Sequence, residues 1–181
     1  MQILKTSLDG VLLLTPAVIE DERGFFYESF NKRQFEIATH APIEFLQENH
    51  SRSAQGVIRG LHYQLEKPQG KLVRVTLGSI FDVVVDIRKT SSTYGQWMGV
   101  EISDENHHQL WIPPGFAHGF LVLSSLADIV YKATDYWHPE HERCIRWNDP
   151  TIAIDWPSVG EPILSDKDRL GEFLASAEVY S

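Results

Sequence analysis

One histidine and one lysine stand out by type and place: His62 in Gly60-Leu61-His62-Tyr63-Gln64, and Lys71 in Gln69-Gly70-Lys71-Leu72-Val73-Arg74. Both runs read as short strands that face each other, so a base and a cation share one pocket. His62 can be a metal ligand, a proton-abstracting base or a hydrogen-bonded core residue. Lys71 opens an apolar strand, where a lysine is either a snorkelling edge residue or a buried functional cation.

Period-two parity sharpens the pattern. Phe116, His118 and Phe120 share a face if they lie in a strand, which makes His118 an inward polar group that needs a partner or a ligand. Arg59, Leu61 and Tyr63 fall on one face and His62 and Gln64 on the other. A pocket using both Arg59 and His62 therefore requires a bulge, and Gly60 is the place for it. Asp82 and Asp86 interrupt the apolar run Ile80–Ile87 on one face, which is costly unless each carboxylate has a partner; a structural ion pair and a catalytic role both satisfy that.

Metal-holding strands show two histidines one residue apart with a carboxylate nearby, and Tyr63-Gln64 stands where the second histidine would be. The pair His107-His108 belongs to a turn after Asp104-Glu105-Asn106, so no metal site is expected. No serine sits in a nucleophile elbow, and no glycine loop opens a helix to cradle phosphate. Proton chemistry remains: an uncoordinated histidine, a lysine able to stabilise an oxyanion, and Tyr131 on Ile129-Val130-Tyr131-Lys132-Ala133.

The elements that must position these groups are mostly strands. Candidates are Val11–Ile19, Gly24–Phe30, Phe45–Ser51, Gly56–Leu65, Lys71–Leu77, Ile80–Ile87, Gln96–Ile102, His108–Ile112, Gly115–Leu123, Ile129–Asp135 and Ile145–Trp147. Helical period is confined to Asn31–Ala38, with Asn31 as cap, and Ser165–Ala175. Many short strands with close turns predict a sandwich or barrel, and 181 residues without repeats or linkers predict one domain over 1–181.

A formal charge of -9 argues against nucleic acid as a partner. One cysteine, Cys144, no signal peptide and no membrane-spanning apolar run point to a cytoplasmic protein.

Several segments in order carry a resemblance: Arg23-Gly24-Phe25-Phe26, Gln47-Glu48-Asn49-His50-Ser51, Val57 to Gln64, Gln69 to Arg74, Pro114 to Phe120, Tyr131 to Trp137, Trp147-Asn148-Asp149-Pro150 and Leu164 to Asp168. The chain resembles the dTDP-4-dehydrorhamnose 3,5-epimerases. The resemblance implies an all-β, cupin-type jelly roll with a few short helices, one near the C-terminus, and catalysis without a cofactor.

It further implies a nucleotide sugar as substrate, with His62 as base, Asp168 orienting it, Tyr131 as the acid on the far face and Lys71 at the enolate oxygen. His118 contacts the substrate, with Asp82 behind it. The nucleotide is expected to meet Arg23, Glu28, Gln47, Glu48, Asn49, Arg59, Glu142 and Lys167, with Trp137 stacking on the thymine. Position 48 is Glu where many relatives have Asp, and position 137 is Trp where others have Tyr. A homodimer follows by the same resemblance, with residues near Arg23 to Glu28 completing the neighbour's site. The alternatives are an epimerase of one carbon only, a non-catalytic nucleotide-sugar-binding cupin, and a metal-dependent oxygenase.

Overall fold

The computed structural model describes residues 1–181. Thirteen strands follow in chain order: β1 Gln2–Lys5, β2 Leu12–Thr15, β3 Ile19–Asp21, β4 Gly24–Phe26, β5 Gln47–Ala54, β6 Ile58–Gln64, β7 Lys71–Leu77, β8 Ser79–Asp86, β9 Trp97–Ser103, β10 Gln109–Ile112, β11 Phe116–Val122, β12 Leu126–Ala133 and β13 Glu142–Cys144. One helix, α1 Lys32–Thr39, lies between β4 and β5, and a second, α2 Asp166–Arg169, follows β13. No helix is long and apolar enough to cross a membrane.

Two antiparallel sheets pack face to face, one ordered β1-β2-β10-β7-β12-β5 and the other β13-β6-β11-β8-β9. Alternation explains the layers. Val73 and Val75 of β7, Ile129 of β12, Val84 of β8 and Phe116 and Phe120 of β11 turn inward and join one buried cluster between the sheets. The residues of opposite parity pack outside: Leu72 with Trp111 and Phe35 of α1, and Leu61 and Tyr63 with the C-terminal segment.

α1 begins where Asn31 Oδ1 accepts from Gln34 N at 3.2 Å, as its cap-forming side chain predicts. Its Phe35 stands edge-on to Trp111, with ring centroids 5.0 Å apart.

Three expectations shift at the edges. Val11–Ile19 is two strands rather than one, because Pro16 can donate no ladder bond between β2 and β3. The strand expected at Ile145–Trp147 lies earlier, at β13, and β1 carries no apolar alternation that would have revealed it. The helix expected over Ser165–Ala175 is a single turn, α2. Beyond it Arg146 N donates to Glu172 O at 2.8 Å and Glu172 N to Cys144 O at 2.9 Å, so the chain is drawn against the end of β13 instead of continuing the helix. Gly171 permits that approach, since a Cβ there would lie 2.9 Å from Arg146 N.

Candidate active site

β6 carries the histidine, and its irregularity decides what the histidine meets. His62 pairs with His118 of β11, while Arg59 pairs with Phe120, so two residues of β6 oppose one of β11 between these points. The extra residue is the expected bulge at Gly60, whose φ of 132° belongs to the glycine region. A Cβ at Gly60 would sit 2.5 Å from Gly119 Cα, so two glycines let the strands close up. The bulge brings Arg59 and His62 to the same cavity despite their opposite parity.

That cavity, about 540 Å3, opens between the sheets and ends at the segment running into α2. The second sheet contributes Arg59, His62, His118 and Phe120; the first contributes Asn49, Lys71 and Tyr131; and the α2 region adds Ser165, Lys167 and Asp168. A smaller hollow of about 230 Å3 shares Asn49, His62, Lys71 and Tyr131 and extends to Gln47, Gln69, Trp137 and Glu142. His62 thus faces Lys71 and Tyr131 across the gap between the sheets.

His62 Nε2 and Asp168 Oδ1 are 2.6 Å apart. The carboxylate can only accept: Gly60 N donates to the same oxygen at 3.2 Å, and Ser165 Oγ donates to Oδ2 at 2.6 Å. Nε2 therefore carries the hydrogen, and Nδ1 keeps its lone pair. Burial alone would raise the proton affinity of Asp168, but the bonds from His62, Ser165 and Gly60 outweigh it and hold the carboxyl below its ordinary value. For His62 burial dominates in the other direction. With Lys167 and Lys71 nearby, it outweighs the attraction of Asp168 and keeps the imidazole neutral at lower pH than usual.

The first sheet supplies the complementary forms. Burial pulls Lys71 down to about 8, with Glu142 and Asp82 opposing the shift, so the group is a cation near neutrality that can lose its charge. Burial and the charge of Glu142 push the Tyr131 phenol up, which keeps its proton in place. Lys71 Nζ lies 6.0 Å from the centre of the Tyr131 ring. A neutral base thus faces a protonated phenol and an ammonium from the opposite sheet. Such an arrangement can remove a proton from one side of a carbon acid, stabilise the resulting oxyanion and return a proton from the other side.

A second dyad stands beside the first. His118 Nε2 donates to Asp82 Oδ1 at 2.6 Å, while Asp82 Oδ2 is buried without a partner. His118 is therefore a satisfied histidine that also lines the cavity. Asp86, on the same strand, is satisfied by a structural network of Arg88, Ser91 and Thr93.

The residues expected around the nucleotide divide. Arg59, Asn49 and Lys167 line the larger cavity, and Gln47, Trp137 and Glu142 the smaller. Gln47 Nε2 donates to Asn49 Oδ1 at 3.0 Å and Gln47 Oε1 accepts from Trp137 N at 3.0 Å, tying three of them together. Three others are not brought in. Glu48 points to the other face of β5, where Lys132 Nζ is 2.5 Å away. Glu28 Oε2 accepts from Asn31 Nδ2 at 3.1 Å near α1. Arg23 sits at the tip of the β3–β4 hairpin, 86% exposed and paired with Asp21.

Ser165, not among the expected site residues, anchors the dyad: its Oγ caps α2 by accepting from Asp168 N at 3.2 Å and donates to the carboxylate. The Ser-x-x-Asp spacing at a helix start is a capping signature that could have revealed it. Cys144 also adjoins the dyad. His62, Cys144 and Asp168 offer nitrogen, sulfur and oxygen atoms within 4.8 Å of one another, a set that could in principle hold a metal. Burial and the Asp168 charge push the thiol up to about 12, so it keeps its proton, and the dyad bond occupies His62 Nε2.

The chain matches, over residues 5–176, the family described as dTDP-4-dehydrorhamnose 3,5-epimerase. A dTDP-4-dehydrorhamnose 3,5-epimerase of Pseudomonas aeruginosa is 56% identical over 180 residues, 99% of each chain. The dTDP-6-deoxy-D-glucose-3,5-epimerase of Legionella pneumophila, solved with dTDP-4-keto-L-rhamnose, is 51% identical with a TM-score of 0.95, covering 98% of this chain and 94% of that one. More distant is a 3'-monoepimerase of Streptomyces bikiniensis, solved with dTDP-quinovose, 32% identical with a TM-score of 0.90 over 94% of this chain and 87% of that one. The fold and these full-length relatives define a cupin-type carbohydrate epimerase. Within that class, the chain belongs to the dTDP-4-dehydrorhamnose 3,5-epimerase family.

Proposed function

We propose that this protein converts dTDP-4-dehydro-6-deoxy-D-glucose into dTDP-4-dehydro-L-rhamnose by inverting C3 and C5. The observation that carries the reading is the division of the proton-transfer groups between two sheets, His62 from one and Tyr131 with Lys71 from the other.

The C4 ketone acidifies the hydrogens on both neighbouring carbons. Neutral His62, held by Asp168, takes one of them, and the electron pair of the broken C–H bond moves into an enolate. Lys71 stabilises the charge that gathers on the enolate oxygen. The Tyr131 phenol then gives its proton to the opposite face of the same carbon, and solvent restores the protonation states of both groups. A second round at the other carbon completes the conversion. The sequence is neutral in protons and electrons, so no cofactor is required.

Arg59 and Lys167 give the cavity rim the positive charge that a diphosphate needs, although the whole chain is acidic. Trp137, 54% exposed, offers a face on which thymine can stack, and Gln47 and Asn49 offer amides beside it. His118 meets the sugar. Glu48 has no part in this cavity as the chain stands.

Arg23 and Glu28 serve the cavity of a second copy in a homodimer. Ile19, Phe25 and Phe26 of the β3–β4 hairpin are 66%, 60% and 71% exposed, an apolar surface suited to burial against another chain. We place the reaction in the cytoplasm.

Conversion in heavy water followed by proton NMR tests the reading. The product is expected to carry solvent deuterium at both C3 and C5. Deuterium at one carbon alone would make the protein a single-carbon epimerase, like its Streptomyces relative, and none at either would leave a binding protein.

A further inference from the structure

One ion pair stands beside the groups assigned to proton transfer. Lys167 Nζ lies 2.7 Å from Glu142 Oε1 and links α2 to β13. Lys167 lines the larger cavity beside Arg59, and Glu142 lines the smaller one beside Lys71, Tyr131 and His62, so the pair stands where the two meet. Its ends differ in freedom: the Lys167 side chain is 48% exposed and that of Glu142 20%. A half-exposed lysine can swing to a new anion. A carboxylate at the start of a strand paired to Gln64 stays behind.

We propose that the Glu142–Lys167 pair is a substrate-operated charge switch: a diphosphate that draws Lys167 away leaves the Glu142 carboxylate facing Lys71, Tyr131 and His62. The inference rests on the nucleotide-sugar reading above and gives Glu142 a positioning role within it.

The charges around the pair fix the direction of the effect. His62 faces it from β6, Lys71 from β7, Tyr131 from β12 and Asp168 from α2, with Asp82 of β8 acting on Lys71 and Arg59 on Tyr131. Glu142 raises the proton affinity of Lys71 and Tyr131, whereas Lys167 lowers that of Lys71 and His62. In the free protein the two opposed charges offset each other.

Once Lys167 has moved, the carboxylate holds Lys71 as ammonium and Tyr131 as phenol, and His62 becomes a stronger base. The ammonium and the phenol are the forms the reaction uses, and both are reinforced when substrate is in place.

The test is an NMR titration of the whole protein carrying isotope-labelled lysine, with and without dTDP as the diphosphate probe. In the unsubstituted protein dTDP is expected to raise the Lys71 midpoint by about one pH unit, and in Glu142→Gln by much less. Equal rises in both proteins would assign the effect to the charge of the diphosphate itself and overturn the switch, as would no rise in either. The measurement needs no turnover, so it separates from the heavy-water experiment: a 3,5-epimerase without the switch deuterates both carbons yet shows equal rises. Failure of dTDP to bind overturns the nucleotide reading and the switch together.

Discussion

His62→Ala is expected to fold normally and to lose roughly 10³- to 10⁴-fold in kcat, a barrier increase of about 4 to 5 kcal/mol. Fold and function separate here because of what surrounds the residue. Leu61 and Tyr63, buried on the opposite face of β6, hold the strand in its sheet whether or not an imidazole is present. Asp168 keeps its bonds from Gly60 N and Ser165 Oγ, so the carboxylate is not orphaned. What disappears is a neutral base whose tautomer is fixed by a carboxylate and which faces a protonated phenol on the other sheet. Circular dichroism and thermal melting check the first half, and steady-state turnover checks the second. Turnover close to that of the unsubstituted protein would remove His62 as the base.

Lys71→Met is expected to cost about 10²- to 10³-fold in kcat, since methionine fills the space of the stem without bringing charge to the enolate oxygen. The accompanying pH dependence has a definite sign. The reaction needs His62 neutral and Lys71 charged. His62 protonates below its ordinary 6.5 because burial opposes the imidazolium, so the acid limb of kcat/KM lies below that value. Lys71 loses its proton as pH rises through about 8, so the alkaline limb falls there. Lys71→Arg keeps a cation that does not titrate in this range and should abolish the limb near 8, at reduced rate because a planar guanidinium presents its charge differently. An alkaline limb that stays near 8 in Lys71→Arg would assign it to another group.

The parts of this site legible in the sequence are those governed by strand parity. The inward orientation of His118, the need for a bulge between Arg59 and His62, and the location of that bulge at Gly60 all follow from period two and from the cost of an unpartnered buried polar group. The absence of a second histidine spaced for a shared metal was likewise a local feature. Long-range partners were a different matter. Asp168 lies 106 positions from His62, and nothing in either neighbourhood states that they meet. The resemblance supplied that pair, and the hydrogen bond at 2.6 Å agrees with it.

Glu48 shows the reverse: adjacent to Gln47 and Asn49 in sequence, it is turned away by the same parity that turns them in. The helix expected at Ser165–Ala175 failed because its competitor, the bridge from Glu172 to the end of β13, is a tertiary contact that no local propensity contains. Arg23 and Glu28 also lie outside the cavity: Arg23 pairs with Asp21 in the β3–β4 hairpin and Glu28 with Asn31 beside α1, both partners close in sequence.

Proton removal and proton return are assigned to opposite faces, from opposite sheets. Tyr131→Phe in heavy water separates the two, because it deletes the returning acid and leaves the His62–Asp168 dyad, the cavity walls and Lys71 in place. His62 is expected still to exchange substrate hydrogens at C3 and C5 for solvent deuterium, returning them to the face they left, while formation of the inverted sugar falls by at least about 10²-fold. Inversion at the rate of the unsubstituted protein, with Tyr131 gone, would contradict it.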